Sequence, residues 1–263
     1  MHLVLRAVWL LLGLFAYLGD NANAAAGVLE IDVVFPRSNE AYAPTDTFPM
    51  VFALQNAQLA KHLAPSIISF VWNGTNTTFG ESHHDLTNSN YSTEPYFVYH
   101  WLKIDTEGPY RLFSTASWTS CNVTGDKVSF DSNTTNFSVD FIIKRDAQAI
   151  DLVAISANDN ACSATGIAIN VTDETREVPE TLDRQGGTCA VLAPASPTTA
   201  ANPCRVKVDT AVDASMSAVL HDLSCKGVNP PADCPKENVV QQLAVAGVAS
   251  FVAALGAIGF LLA

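Results

Sequence analysis

Apolar and polar residues alternate with a period of two along several short segments in the first half of the chain. In 28–35 one face consists of Leu29, Ile31, Val33 and Phe35, and Glu30 and Asp32 lie on the other. In 136–144 the residues predicted to be buried are Phe137, Val139, Phe141 and Ile143, opposite Asn136, Ser138, Asp140 and Ile142. Weaker alternation occurs in 50–54, 68–72 and 97–101. This period is typical of strands with one buried face, so we expect an all-β antiparallel sandwich.

The segment Asp105–Tyr110 (DTEGPY) refines this prediction. It is similar to the corner of an immunoglobulin-like domain, where a tyrosine after a turn bonds back to the preceding backbone. We therefore predict an immunoglobulin-like sandwich. An ordinary hairpin with a core tyrosine is the alternative.

The N-terminal residues 1–26 have the three parts of a secretory signal peptide. Arg6 supplies the positive charge, 8–18 is an apolar run, and small residues follow at Ala24 and Ala26. A helix of that run is about 16 Å long, which is too short for a hydrocarbon core of about 30 Å. We therefore expect cleavage and entry into the secretory pathway.

The C-terminal residues 239–263 include an uncharged apolar stretch from Leu243 to the last residue, with no basic residue after it. That pattern predicts a GPI-attachment signal rather than a receptor with a basic cytoplasmic stop. Asn238 is the expected attachment site, because cleavage at the alternative, Ala232, would remove Cys234 and leave an odd number of cysteines. A retained tail anchor is the second possibility.

The chain contains six cysteines: Cys121, Cys162, Cys189, Cys204, Cys225 and Cys234. An even number in a secreted protein predicts three disulfides. Short loops favour pairing of neighbouring cysteines. We therefore expect Cys225 to pair with Cys234, Cys189 with Cys204, and Cys121 with Cys162.

Seven Asn-X-Ser/Thr sequons follow the signal peptide, at Asn73, Asn76, Asn90, Asn122, Asn133, Asn136 and Asn170. Because a glycosylated asparagine must be accessible, these positions predict loops or outward-facing strand residues.

The sequence changes character near residue 146. We expect a β-sandwich over 27–145 and a cysteine-rich extension or small subdomain over 146–238. In that second part 150–155, 166–171 and 205–208 are possible strands. Apolar residues at helical spacing between Val212 and Leu223 predict a short helix, capped by Thr210 or Asp213.

The net charge is −12 at pH 7, and no basic run occurs. Phosphate binding requires clustered cations, so nucleic acid is excluded as a partner. The membrane, reached through the GPI lipid or the tail, and cell-wall polysaccharide are the partners we expect.

No residue set in the sequence predicts catalysis, a cofactor or a metal. His83, His84 and Asp85 are adjacent, but a solvated loop explains them better than a metal site. His100 is predicted to be structural. GxSxG is absent, which excludes the usual hydrolase elbow. The carboxylates available for a glycosidase pair are Glu30, Asp32, Glu94, Asp105 and Glu107, and their spacing does not pair them.

Trp72, Trp101 and Trp118 form a candidate platform for stacking sugars, although tryptophans at strand spacing more often belong to a core.

The segments Gly27–Pro36, Phe48–Asn56 and Tyr96–Ile104 carry a family resemblance, together with Cys225 and Cys234 before a hydrophobic tail. The chain resembles a family of filamentous-fungal secreted or GPI-anchored proteins, defined by domain of unknown function 7136. The resemblance covers most of 27–235. It implies an often lipid-anchored surface protein and transfers no functional residue.

These observations predict a non-enzymatic, surface-anchored glycoprotein of the cell wall or plasma membrane, with a role in adhesion or wall organisation. The alternative is a secreted carbohydrate-active enzyme or a polysaccharide-binding module.

Overall fold

A computed structural model describes residues 26–74, 78–124, 127–158, 165–178, 187–194, 200–228 and 230–235. The apolar run of the predicted signal peptide, the hydrophobic tail, Asn76, Cys162 and Asn238 lie outside these ranges. Within the described residues, none of the helices has both the length and the apolar character needed to cross a membrane.

The described chain is mostly β-sheet. Its strands are β1 Gly27–Phe35, β2 Ala41–Tyr42, β3 Thr45–Gln55, β4 Ser66–Asn73, β5 Thr78–Asp85, β6 Tyr96–Ile104, β7 Gly108–Thr124, β8 Lys127–Ile143, β9 Thr165–Glu177 and β10 Thr188–Leu192.

These strands form one open sheet in the order β2-β8-β7-β10-β9-β1-β3-β6, with β4 paired to β7 and β5 to β4. The sheet is mixed rather than purely antiparallel, because β2 runs parallel to β8 and β10 runs parallel to β7. The long hairpin of β7 and β8 keeps its register from Gly108↔Ile143 to Thr124↔Lys127.

Side chains from distant parts of this sheet pack together in the core. Phe48 of β3 stacks on Phe141 of β8 with ring centroids 5.1 Å apart, and Phe52 of β3 meets Phe137 of β8 at 6.5 Å. Since β3 and β8 lie near opposite ends of the strand order, the sheet folds back on itself and buries the apolar face of each half.

The alternation predicted for 136–144 is confirmed. Phe137, Val139, Phe141 and Ile143 are buried, and the residues between them are exposed. The tyrosine bond predicted for the 105–110 turn is present too, because the Tyr110 hydroxyl donates to the Thr106 carbonyl oxygen at 3.0 Å.

Strand β1 differs from a strand with one wet face, because both of its faces are buried. Glu30 is 5 % exposed and Asp32 is 0 % exposed. The 3₁₀ turn Pro203–Arg205 packs against β1 and covers the face that carries these carboxylates. The short helix α1, Leu152–Ala157, also packs against β1. The backbone N–H of Val208, which follows the covering turn, donates to the Ser156 hydroxyl of α1 at 2.8 Å and joins the two segments.

The later part of the chain corrects two strand predictions and confirms one. Residues 150–155 are largely helical, because the Asp151 carboxylate caps α1 by accepting from the Ala154 N–H at 2.9 Å. In 205–208, Arg205 ends the 3₁₀ turn, and the three residues after it pair with no described strand. Residues 166–171 lie in β9, which pairs with β1 inside the sheet.

The described residues up to Thr210 form one compact unit, and those from Ala211 onward form another. The predicted helix, α2, spans Thr210–Cys225, and all of it after Thr210 belongs to the second unit.

The disulfides confirm one predicted pair and overturn the other two. Cys225 pairs with Cys234, as the short loop predicts. Cys121 pairs with Cys189, so the predicted pairs Cys189–Cys204 and Cys121–Cys162 are wrong. The parallel bridge between Val191 and Cys121 brings β10 beside β7, and this contact between strands outweighs the advantage of a short loop. Cys204 is also disulfide-bonded.

Candidate functional site

The outward face of β4, β7 and β8 is the candidate functional site, and we call it the open face. On β4, half-buried Ile68, Phe70 and Trp72 alternate with buried residues. The corresponding outward residues of β7 are Arg111, Phe113, Thr115 and Ser117, and those of β8 are Thr134, Asn136, Ser138 and Asp140.

Strand register arranges these outward side chains in rows across the sheet. One row contains Trp72, Arg111 and Asp140. The next contains Phe70, Phe113 and Ser138, and Ile68, Thr115 and Asn136 form the third. Neighbouring strands lie about 4.8 Å apart, so each row is a short line of adjacent groups.

Two aromatic rings form the centre of the open face. Trp72 and Phe113 lie nearly parallel, with an interplanar angle of 10° and centroids 5.6 Å apart. Both remain half-exposed. Stacking fixes the orientation of each ring, while part of its surface remains accessible to a ligand.

A bidentate ion pair lies beside these rings. The Arg111 Nε and Nη2 atoms donate to the two Asp140 carboxylate oxygens at 2.6 and 2.9 Å. The hydrogen bond from Arg111 lowers the pKa of Asp140, so the carboxylate stays ionised. Both side chains are about half exposed, at 53 % and 52 %. A surface pair of this kind adds little to stability, but it presents oriented donors and acceptors to solvent.

A cavity of about 240 Å³ adjoins the rings and the ion pair. Its lining comprises Trp72, Asn73, Gly74, Pro109, Tyr110, Arg111 and Asp140. Asn73 and Tyr110 form the last pair between β4 and β7. The cavity therefore lies at the end of these two strands, with Asn73 and Pro109 at its rim.

Hydroxyl and amide groups continue the open face beyond the rings. The Thr115 hydroxyl donates to the Asn136 side-chain oxygen at 2.8 Å, and Ser117 and Thr134 share a hydrogen bond of 3.3 Å. The surface thus combines flat aromatic faces with a dense row of small polar groups. A sugar ring has the matching chemistry, with apolar C–H faces for stacking and hydroxyls around its edge for hydrogen bonding.

The three tryptophans of the predicted platform do not share one surface. Only Trp72 lies on the open face. Trp101 belongs to β6, where it meets Tyr99 edge-on at 5.1 Å. Trp118 has a buried Nε1 that forms no hydrogen bond within the described chain.

Of the five carboxylates considered for a glycosidase pair, only Glu30 and Asp32 come together. The Gln55 side-chain amide donates to Glu30 at 3.2 Å and to Asp32 at 2.7 Å. The Asn202 N–H and the Arg205 guanidinium also donate to Glu30, at 2.6 and 3.1 Å. This carboxylate cluster holds the covering segment on β1.

Asp32 is the member of the carboxylate cluster whose hydrogen bonding is incomplete. Its Oδ1 atom is buried without a hydrogen bond. The pKa of Asp32 is raised to about 7, chiefly by burial, with the Gln55 hydrogen bond acting against the rise and the nearby Glu30 adding to it. Gly166 of β9 is the register partner of Asp32, and a Cβ at this position would collide with the Asp32 Oδ1 atom. Since both carboxylates lie beneath protein, the arrangement is a buried contact rather than a catalytic cleft.

The remaining carboxylates have separate structural partners. Glu94 accepts from the Asn56 and Ala57 N–H groups at 2.8 and 3.0 Å. Asp105 lies 3.5 Å from the Lys103 ammonium, and Glu107 accepts from the Arg145 N–H at 2.8 Å.

The solvated loop predicted for His83, His84 and Asp85 is wrong, because all three residues lie in β5, on alternating faces of the strand. His83 and Asp85 are exposed, whereas His84 points toward the core and approaches His100 of β6. Elsewhere in the described chain, His221, Cys225 and Cys234 are close together. Their two sulfurs are joined in a disulfide, so they are not thiolate ligands.

The described sequons are all accessible to some degree. Asn90, Asn122 and Asn136 are exposed, and Asn73, Asn133 and Asn170 are half-buried. Two of them border the open face, at the cavity rim (Asn73) and in its third row (Asn136). Glycan occupancy remains a prediction at every sequon.

Sequence reasoning missed the contributions of Phe113, Arg111 and Asp140 as a surface. The signal that predicts them is the parity of β7, because buried Tyr110 and Leu112 place Arg111 and Phe113 on the opposite face. Their pairing with Trp72 and Asp140 depends on strand register, which periodicity alone does not determine.

A family model described as "Domain of unknown function (DUF7136)" matches residues 24–234, which is most of the chain. No curated protein matches the chain.

Proposed function

The chain belongs to the DUF7136 family, and from this premise we propose that it is a non-enzymatic, surface-anchored glycoprotein whose open face binds a cell-wall polysaccharide. The stacked pair of Trp72 and Phe113 beside the Arg111–Asp140 ion pair carries the proposal. Binding a wall polymer gives the protein its role in adhesion or wall organisation.

The aromatic and polar groups favour a sugar over a protein partner. The hydroxyl and amide groups of Thr115, Asn136 and Ser138 make this surface hydrophilic, whereas the fully buried centre of a protein interface is more apolar. A polysaccharide stacks on the two rings and exchanges water for protein along its hydroxyl edge.

Charge favours a neutral polymer. The chain carries −12 at pH 7, and Glu81 on β5 lies opposite Phe70, next to the rings. Acidic polymers are repelled by such a surface, so neutral glucan and chitin are the expected ligands rather than uronic-acid polymers.

The finer architecture is proposed as an immunoglobulin-like β-sandwich. The contact of Phe48 with Phe141 between distant strands and the Tyr110–Thr106 bond support it. The mixed pairing of β2 and β10 departs from the purely antiparallel pattern of that fold.

The proposal is tested by incubating the secreted ectodomain, residues 27–238, with insoluble β-glucan, chitin and cellulose and measuring the bound fraction. Released reducing sugar is measured in the same tubes. Binding without hydrolysis supports the proposal. Steady release of sugar supports the alternative, a carbohydrate-active enzyme, and overturns the non-enzymatic assignment.

We further propose that the protein is displayed on the outer leaflet through a GPI lipid attached at Asn238, with 1–26 removed as a signal peptide. Phosphatidylinositol-specific phospholipase C is expected to release the protein from intact cells, because lipid alone then holds it. The measurement is the fraction of protein in the supernatant.

Replacement of Asn238 by tryptophan should block attachment and retain the protein inside the cell, with Ala232→Trp as the matched control. Protein that only detergent releases from wild-type cells would point instead to a retained tail anchor.

A further inference from the structure

The core-facing histidines of β5 and β6 form a pair outside the open face. On β5, Gly80, Ser82 and His84 share the inward face, and on β6 His100 and Leu102 do. A Cβ at Gly80 would collide with the Leu102 side chain. The two strands therefore approach closely, and the rings of His84 and His100 lie 6.4 Å apart between centroids, at an angle of 68°.

The His84 Nε2 atom is buried and forms no hydrogen bond within the described chain. Buried polar atoms in proteins are nearly always satisfied, and those that are not commonly face a water or an ion. His62, in contrast, contacts the Thr188 hydroxyl at 2.8 Å. The unsatisfied nitrogen of His84, on a ring that lies beside the imidazole of His100, therefore points to a ligand between the two rings.

We propose that His84 and His100 bind one copper(I) ion. A metal–nitrogen bond is about 2 Å long, and because the nitrogens lie on the ring perimeters, one ion fits between centroids 6.4 Å apart with a wide N–metal–N angle. Copper(I) accepts such low coordination with neutral soft donors.

Met50 is the thioether that strand register places nearest to His100. It is the register partner of His100 on β3, shares its inward face, and is fully buried. Thioether sulfur selects copper(I) over harder ions. The carboxylates nearest in sequence, Asp85 and Glu81, are exposed on the opposite face of β5, so β5 offers no carboxylate of the kind that calcium and magnesium prefer.

The protonation state of both rings supports metal binding. Burial lowers the pKa of His84 and of His100, and the neighbouring His100 and His83 lower that of His84 further. Burial therefore favours the neutral form of both rings, and neutral imidazole is the form that binds a metal.

The test is an anaerobic titration of the secreted ectodomain with copper(I) in competition with a chromophoric chelator. We expect one ion per chain. His84→Gln and His100→Gln should each weaken binding more than about 10-fold. His83→Gln, one residue away on the exposed face, and His221→Gln should leave it unchanged.

A second measurement uses the unaltered chain, so that it does not depend on the variants folding. Copper(I) is diamagnetic, and its addition should shift the imidazole resonances of His84 and His100 while those of His83 and His221 stay in place. If copper(I) showed no saturable binding, the proposal would be overturned, and water would be the group that occupies the space between the rings. Equal weakening by His83→Gln, or tighter binding of zinc than of copper(I), would overturn it as well.

Discussion

Asp32→Asn is expected to make the protein more stable at pH 8 by about 4 kcal/mol while changing little at pH 4. Burial raises the pKa of Asp32 to about 7 from an ordinary value of 3.8. The folded protein therefore holds a proton that the unfolded chain releases, and stability falls as the pH rises from about 4 to 7. Each pKa unit corresponds to about 1.4 kcal/mol, and asparagine has no charge to desolvate.

The groups facing Asp32 set the size of this effect. Glu30 on the same strand raises the pKa, and Arg205 of the covering segment and Arg37 after β1 lower it. Burial is the largest cause, so the net direction is upward. The amide of asparagine keeps an oxygen that accepts from Gln55, so the carboxylate cluster loses its charge but not its main hydrogen bond.

The measurement is the free energy of unfolding in urea for both proteins at each pH from 4 to 8. His62, His84 and His100 have lowered pKa values and act in the opposite direction below pH 6.5, so only the difference between the two proteins isolates Asp32. Asp140→Asn is the matched control. The pKa of Asp140 is lowered rather than raised. The difference in unfolding free energy between Asp140→Asn and wild type should therefore not grow between pH 4 and 7. A constant difference between Asp32→Asn and wild type across this range would refute the account of the carboxylate cluster.

Removal of the Cys121–Cys189 disulfide should destabilise the protein by about 4 kcal/mol. The bond closes a loop of sequence separation 68 and joins β7 to the strand that runs parallel to it. The unfolded chain gains the entropy of that large loop when the crosslink is lost. The variant is Cys121→Ser with Cys189→Ser, and urea unfolding under non-reducing conditions measures the loss.

The matched control is Cys225→Ser with Cys234→Ser, which opens a loop of sequence separation 9. The smaller loop predicts a smaller loss, about 3 kcal/mol, and it belongs to the compact unit that begins at Ala211. Unfolding of the first unit should therefore respond to the first pair alone. Equal effects of both double variants on that unit would contradict this assignment of the crosslinks.

The sequence predicts individual strands well where one face is apolar and the other is wet. Phe137 to Ile143 shows this, because alternation follows directly from burial of one side. The same reasoning places Glu30 and Asp32 on a face of their own but does not predict that this face is buried. The covering residues lie far along the chain, and Asn202 and Arg205 reach Glu30 through long-range contacts that no local pattern encodes.

The disulfides illustrate the same limit. Loop entropy favours the nearest cysteine, and this suffices for Cys225 and Cys234. It fails for Cys121 because β10 adds to the sheet beside β7 and carries Cys189 there. In this pair, the position of β10 beside β7 therefore determines the disulfide partner of Cys121, and loop length does not.

The open face could be predicted only in part. Trp72 is recognisable as a stacking residue from its type, and the predicted wall polysaccharide follows from the predicted secretion and glycosylation. Its partners Phe113 and Asp140 depend on how β4, β7 and β8 are aligned, which is a property of the whole sheet. The sequon at Asn136 places a predicted glycan in the third row of the same surface, so enzymatic deglycosylation should increase polymer binding if that glycan shields the rings.

The most direct test of the open face is the bound fraction of ectodomain on insoluble β-glucan and chitin, with Trp72→Ala and Phe113→Ala together compared with Tyr99→Ala and Trp101→Ala. Both double variants remove one half-exposed aromatic pair, but only the first pair lies on the open face. We predict at least about 10-fold weaker binding for the first and wild-type binding for the second. Equal binding by all three proteins, or loss of binding only in the Tyr99/Trp101 variant, would contradict the account.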